Sequence, residues 1–307
     1  MTRRRTWWHL EGQSRRPSDY EIATTKLLWA PARGFAVETP VTRWIDAHQR
    51  GRSFACRDWD AFIDPRETTY ESYTALQRNR ENFVEGLLAM AEDGRDDAQL
   101  APRWVAVLDR VFAPLRYPGH ALQMLAAYVG SMAPGGRVVV ACLLQSADEM
   151  RRVQRLAYRL KLLQRTHPQI GADSRAVWER DPLWQPMREL VERLLVVRDF
   201  DEAWVALTLA VKPAFDELYM VRFAALAVTA GDLVLAQMFR SLDEDCRWHR
   251  DWSAALVAML AAQDRANADR IAALRDPWQP RVAAAIAPFE RLFGDIGDIA
   301  PRRGAAT

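Results

Sequence analysis

From about residue 66 onward, apolar residues recur at intervals of three and four almost without interruption, which is the signature of packed amphipathic helices. Asp64-Pro65 reads as an N-cap and first-turn proline for a helix with Tyr70, Tyr73, Leu76, Phe83 and Leu87 on its inward side. Trp104, Leu108, Val111, Phe112 and Leu115 predict a second helix over about 102–115, after which Pro114 and Pro118 punctuate the chain. Leu122, Leu125, Ala126 and Val129 predict a third over about 119–132, closed by Pro134-Gly135-Gly136. The β-branched run from Val138 to Leu144 resembles a strand, but it continues into Met150, Val153, Ala157 and Leu160. A long helix to about 165 therefore fits better.

The stretch 166–185 contains His167-Pro168, Gly171 and Asp181-Pro182, so it is a connection with at most one short helix. Helices over about 186–198, 201–228 and 233–262 follow. The last carries Leu235, Met238, Leu242, Cys246, His249, Trp252 or Ser253, and Leu256 on one stripe. Four of the long helices fall as two pairs separated by a connection. The fold class is therefore all-α, laid out as a ferritin-like helical bundle with extra helices and one crossover.

Residues 1–65 mix Arg, Pro and aromatics with no sustained period and read as an extended N-terminal arm with short helical turns. The helical domain spans 66–292, and 293–307 reads as a flexible tail. The arm holds Trp7, Trp8, Trp29 and Trp44, which it cannot bury by itself. With Trp 12 in the chain, this surplus points to a large protein contact.

Lys+Arg 42 against Asp+Glu 40 gives a net charge of +2, which provides no global field for nucleic acid or anionic lipid. No uncharged apolar run approaches the roughly 18 residues of a membrane span, and no h-region follows Arg3-Arg4-Arg5. Cys56, Cys142 and Cys246 are an odd set without CxxC spacing, which fits a reducing cytoplasm. The basic clusters Arg151-Arg152-Arg155-Arg159 and Arg3-Arg4-Arg5 lack aromatic interleaving and read as solvated faces.

Several anchors recur in a fixed order along the chain: Arg5-Thr6-Trp7-Trp8-His9-Leu10, Arg16-Pro17-Ser18-Asp19-Tyr20-Glu21 and Asp58-Trp59-Asp60-Ala61-Phe62-Ile63-Asp64-Pro65. They continue through His120-Ala121-Leu122-Gln123-Met124 and Trp178-Glu179-Arg180-Asp181-Pro182-Leu183-Trp184-Gln185 to Lys212-Pro213. Together they resemble the hydroxylase beta subunit of bacterial multicomponent toluene/alkene monooxygenases. The resemblance implies a heteromer with alpha and gamma subunits, served by an effector protein, a ferredoxin and a reductase. It places the di-iron centre in the alpha subunit and no cofactor in this chain.

A di-iron bundle takes one Glu from each of two helices and a Glu-x-x-His pair from each of two others. The i, i+3 spacing sets carboxylate and imidazole on one helical face. On the alpha-subunit pattern, the first pair falls on Glu149 with Arg152 in place of the imidazole. The second falls on Cys246 and His249, with Cys in place of Glu. The single-Glu positions fall at Gly119 or His120 and at Lys212. Arginine stays protonated and cannot ligate iron. The resemblance thus implies vestigial positions at Gly119, Glu149, Arg152, Lys212, Cys246 and His249, with no catalytic residue.

Two readings of these long side chains stand open. In one, Glu149 neutralises Lys212 or Arg152 in the bundle centre; in the other, they reach the bundle ends and solvent. Asp245, four residues before His249, stands at a spacing that could orient its ring, although a satisfied core histidine is the commoner outcome. An independent ferritin-like metalloprotein and a helical scaffold or adaptor are the alternatives to the beta-subunit reading.

Overall fold

The structure, a computed structural model, describes residues 10, 15–25, 27, 38–49, 53–94 and 96–299. Trp7, Trp8, Trp29, Arg3-Arg4-Arg5 and the tail beyond 299 lie outside the described residues. Among those described, every regular element is helical.

Three short elements cross the bundle surface first: α1 (Asp19–Thr24), α2 (Pro40–Gln49) and a single 3₁₀ turn at Trp59–Ala61. Ser18 and Glu21 form a capping box at the start of α1. This part of the arm lies on its own chain. The Arg137 guanidinium donates to Thr24, Thr25 and the carbonyls of Asp60 and Phe62, and it covers the Tyr20 ring at 5.5 Å.

The long helix α3 (Tyr70–Gly94) does not start at the Asp64 signal. Thr69 and Ser72 cap it, the backbone N–H of each donating to the hydroxyl oxygen of the other. Asp64 instead closes the preceding turn, accepting from the backbone N–H of Arg66 and Thr68 at 3.0 Å and from Trp248 Nε1 at 2.9 Å. Glu67 in that turn has φ 43°. The inward side expected for α3 also needs correcting. Tyr70, Leu76 and Phe83 are exposed, whereas Gln77, Val84, Leu88 and Ala91 face the bundle. Two apolar stripes run along this helix, and periodicity alone cannot say which is buried. Polar partners on neighbouring helices decide the matter.

Next come α4 (Pro102–Val107), extended by π and 3₁₀ turns to Leu115, and then α5 (Arg116–Met132). Pro118 lies within the first turn of α5, where a missing N–H costs nothing, so it does not delay the helix. The run from Val138 is helical as expected, within α6 (Gly136–Thr166). α5 and α6 form a close pair around Gly130, where an added Cβ would sit 3.0 Å from that of Cys142.

The crossover contains α7 (Ser174–Arg180) and α8 (Gln185–Leu195). The second pair begins with one continuous helical path from Phe200 to Thr229: α9 (Phe200–Val205), a π segment, α10 (Lys212–Asp216), a second π segment and α11 (Ala224–Thr229). Pro213 lies inside this path and has no N–H to give to the i−4 carbonyl, which relaxes the regular ladder between the two wide turns. α12 (Leu233–Gln263) completes the bundle, with its whole predicted stripe buried. α13 (Ala266–Arg275) and α14 (Gln279–Ile299) pack outside, and the helix runs to Ile299 where a flexible tail from 293 was expected.

Of the tryptophans described, most are core: Trp184, Trp204 and Trp252 are fully buried and Trp104, Trp248 and Trp278 nearly so. Trp44 is the exposed one, its Nε1 donating to the Tyr128 hydroxyl. Among the described residues the tryptophans therefore serve mainly packing, while Trp7, Trp8 and Trp29, on which the expected contact also rested, lie outside them. No helix among the described residues is long and apolar enough to cross a membrane.

Asp64→Ala is expected to lower the stability of the chain by about 2–4 kcal/mol, because the Trp248 indole and two backbone donors lose their buried acceptor. Urea denaturation of the purified variant measures it.

Candidate functional site

The centre of the bundle is polar. Glu149 and Arg152 enter from α6, Lys212 and Asp216 from α10, and Cys246 and His249 from α12; all six are between 0% and 2% exposed. Lys212 Nζ lies 2.7 Å from Glu149 Oε1 and donates to both Asp216 oxygens at 2.9 Å. The Arg152 guanidinium lies 2.8 Å from Glu149 Oε2 and 3.4 Å from Asp216 Oδ1, and donates to Cys246 Sγ at 2.7 Å. Two cations thus face two carboxylates, and Glu149 neutralises both Lys212 and Arg152 rather than one of them. Its oxygens hold these cations at ion-pair distance without a well-directed hydrogen bond.

A second layer closes the centre toward α3. Asp148 Oδ2 lies 2.9 Å from His249 Nε2, and Asp148 Oδ1 accepts from the Tyr73 hydroxyl at 2.7 Å and from Gln77 Nε2 at 2.7 Å. The partner of His249 is therefore Asp148 on the facing helix, and the i, i+4 pairing with Asp245 does not occur. Asp245 is held instead by Arg80, by Arg151 at 2.7 Å and by Gln77 at 2.9 Å. A residue four positions away on one helix lies one turn along the same face, whereas Asp148 projects across the gap.

The basic cluster on α6 is the clearest departure from expectation, because these arginines are buried or half-buried ion-pair partners and not a solvated face. Arg151 and Arg155 both reach Glu81 on α3. Arg159, 0% exposed, grips Asp97 with two hydrogen bonds of 2.6 and 2.7 Å and lies 3.4 Å from Asp232. Asp232 in turn caps α12 and accepts from Trp104 Nε1. The spacing Arg152, Arg155, Arg159 keeps all three along one side of α6, and the acidic partners of Arg155 and Arg159 lie 60 or more residues away in sequence.

Gly119 is buried on α5 but supplies no side chain to the centre; an added Cβ there would meet Val153. His120 is exposed. Asp216 is the central residue that the sequence reading passed over, although its i, i+4 spacing from Lys212 was available as a signal.

Electrostatics follow from burial and neighbours. Burial and Arg152 act to lower the Lys212 pKa, but Asp216, Cys246 and Glu149 outweigh them and raise it, so the ammonium stays charged. Burial pushes the Cys246 thiol up, keeping it protonated beside two cations. Asp148 is raised well above the usual carboxylate range by burial and then by Asp245. His249 is held well below the ordinary imidazole value by burial, Lys212 and Arg152.

Such a centre does not fit a pair of metal ions. A ferrous pair needs an excess of anionic and neutral donors, and here both carboxylates are already neutralised by permanent cations that would repel it. What the arrangement does chemically is tie α6, α10 and α12 together.

The methane/phenol/alkene hydroxylase family model matches residues 43–264. The beta subunit of the toluene-4-monooxygenase hydroxylase component of Ectopseudomonas mendocina is 33% identical over 300 residues, covering 95% of this chain and 91% of that one. This chain belongs to that hydroxylase family. A solved structure of toluene 4-monooxygenase with toluene bound in its resting active site superposes with a TM-score of 0.89 at 31% identity, covering 94% of this chain and 97% of its match. The phenol 2-monooxygenase oxygenase component DmpL of Pseudomonas sp. (strain CF600) is 24% identical over 235 residues, 76% of this chain and 70% of its own length. As a family member the chain is a homologue of hydroxylase beta subunits, with the ferritin-like fold of its neighbours, and a component of an oxidoreductase complex.

Glu149→Gln is expected to lower stability by about 3–5 kcal/mol, because Lys212 and Arg152 lose a buried counter-charge. Thermal and urea unfolding report it, and an effect below about 1 kcal/mol would show that Asp216 alone suffices.

A raised carboxylate contributes stability fully below its unfolded value near pH 4 and loses it as the pH rises through its folded value. Subtracting the stability of Asp148→Asn from that of wild type is therefore expected to give a difference that shrinks as pH rises above about 4, by up to about 1.4 kcal/mol per pH step. Urea titrations between pH 5 and pH 8 measure this, and a difference that stays constant over that range would mean that Asp148 is ionised throughout.

Proposed function

We propose that this chain is the non-catalytic, structural beta subunit of a di-iron hydrocarbon monooxygenase hydroxylase, a reading supported by its likeness to the beta subunit of the toluene-4-monooxygenase hydroxylase component. The observation that carries the reading is the Lys212 ammonium 2.7 Å from Glu149 in the bundle centre. A cation at that point replaces the charge that metal would supply, so the bundle is completed by its own side chains and binds no cofactor.

In this reading the partner alpha subunit inserts one oxygen atom from O2 into an aromatic ring or alkene and sets the substrate. A gamma subunit completes the core, and a cytoplasmic effector protein, ferredoxin and NADH-dependent reductase serve it. The Glu149, Arg152, Lys212, Cys246 and His249 positions, with Gly119 on α5, are then former ligand positions taken over for packing and charge pairing. The work of this chain is to hold a rigid helical face against its neighbours, with neither nucleic acid nor membrane as partner.

Purified after expression with excess iron, the chain is expected to contain no stoichiometric metal, and elemental analysis finding about two irons per chain would refute the reading. In the assembled hydroxylase, Glu149→Gln is expected to leave turnover per alpha-subunit iron unchanged. Lost turnover at unchanged iron and unchanged melting temperature would assign Glu149 a chemical role.

A further inference from the structure

We infer that the groove running from α6 past α9 to the turn between α12 and α13 is a site for extended polypeptide, read through its main chain. Residues 53–62 are its built-in ligand, a strap that leaves and returns as one unit while the helices stay folded. The strap has only the 3₁₀ turn at Trp59–Ala61 as regular structure of its own. Its remaining backbone groups need partners elsewhere.

Side chains of other elements supply them. The Ser53 N–H donates to the Asp201 carboxylate on α9. Asn267, at the start of α13, accepts from the Ala55 N–H and donates to the Ala55 carbonyl, each at 2.9 Å. Gln263, at the end of α12, repeats the arrangement. Its Oε1 accepts from the N–H groups of Arg57 and Asp58 at 2.9 and 3.2 Å, and its Nε2 donates to the Asp58 carbonyl at 2.6 Å. Arg137 on α6 then takes the carbonyls of Asp60 and Phe62. Residues 53, 55 and 57 thus face the bundle with the period of two of an extended chain. Two side-chain amides stand where the edge of a neighbouring strand would be, which is recognition of backbone and not of side chains.

Gly135 is the second observation. A Cβ added there would sit 2.9 Å from that of Trp59, although at φ −127° its backbone suits any residue. The glycine makes room for the strap. Of the strap's own side chains only Phe54 and Phe62 are buried, each edge-on to a bundle tryptophan, Trp204 at 5.8 Å and Trp252 at 6.3 Å. Ala55, Arg57, Asp58 and Ala61 are exposed.

This division of partners is what lets the strap open alone. The hydrogen-bond ladders of α6, α12 and α13 run within each helix, so none is broken when it leaves. Arg137, Asp201 and Asn267, buried where it lies, are polar groups that water solvates in its place. The strap lacks a ladder of its own, so releasing one clamp loosens the next. Asp64, held by Trp248 and by two backbone donors, fixes the end about which it turns.

Hydrogen exchange of the full chain is the first test. The amides of Ala55, Arg57 and Asp58 are expected to share one opening rate, roughly 100-fold faster than amides in the middle of α6 and α12. Gln263→Ala should speed all three about 10-fold, Ala55 included although its own partner is Asn267, and leave the middle of α6 unchanged. Strap amides that exchange only together with the core overturn the inference, and so does an Ala55 amide that does not respond to Gln263→Ala. The second test titrates a labelled synthetic peptide of residues 53–62 into the full chain carrying Phe54→Asp, which removes an anchor of the resident strap. The variant is expected to keep its helix content and bind the peptide. Wild type should not bind it, because the tethered strap holds the site at high effective concentration. A peptide N-methylated at Ala55, which lacks the donor for Asn267, should bind about 10-fold more weakly. Lost helix content in Phe54→Asp, no binding to the folded variant, or equal binding of the methylated peptide would each overturn the inference.

Discussion

Two permanent cations lie at the centre of this bundle, and the rest of the structure is arranged around neutralising them. An unpaired buried charge costs several kcal/mol, so Lys212 and Arg152 are tolerable only where Glu149 and Asp216 meet them at ion-pair distance. That requirement ties α6 to α10 in a fixed register and, through Cys246 and His249, to α12. Hydrophobic burial supplies most of the stability of such a bundle but is non-directional. The charged centre adds direction, because only one axial alignment of the three helices brings these groups together.

The same device repeats along α6. Arg151, Arg155 and Arg159 each reach acids on other elements, so one face of a single helix orients α3, α12 and the turn at Asp97. The wide turns on either side of Pro213 belong to this logic. They break the regular ladder next to Lys212, where the chain delivers its lysine to the centre rather than to the surface. A ferritin-like frame usually places metal ligands at this depth. Here charged pairs occupy the position, and the family's fold is retained without the excess of anionic ligands that iron would require.

Likeness to hydroxylase beta subunits extends over almost the whole chain, so the frame and its place in an oxidoreductase complex are common property of the family. The distribution of polar groups gives the frame its character. Inside, two acids meet two bases at the centre, and further along α6 Arg159 faces Asp97 and Asp232.

The sequence by itself determined the helices, because apolar periodicity is a local property that chain neighbours express regardless of the fold. It located the two pairs and the crossover and the stripe on α12, while Glu149, Arg152, Lys212, Cys246 and His249 were picked out only by the family resemblance, and the structure decided that they meet in one centre. Tertiary structure decided pairing and facing. Asp148 rather than Asp245 holds His249, because partners across a bundle are chosen by the gap between helices and not by spacing along one. The arginines of α6 look like a solvated face until acids distant in sequence are brought opposite them. Leu76 and Phe83 and the stripe of Val84 and Leu88 are equally periodic on α3. Only the ion pairs to α6 and α12 determine which of the two turns inward.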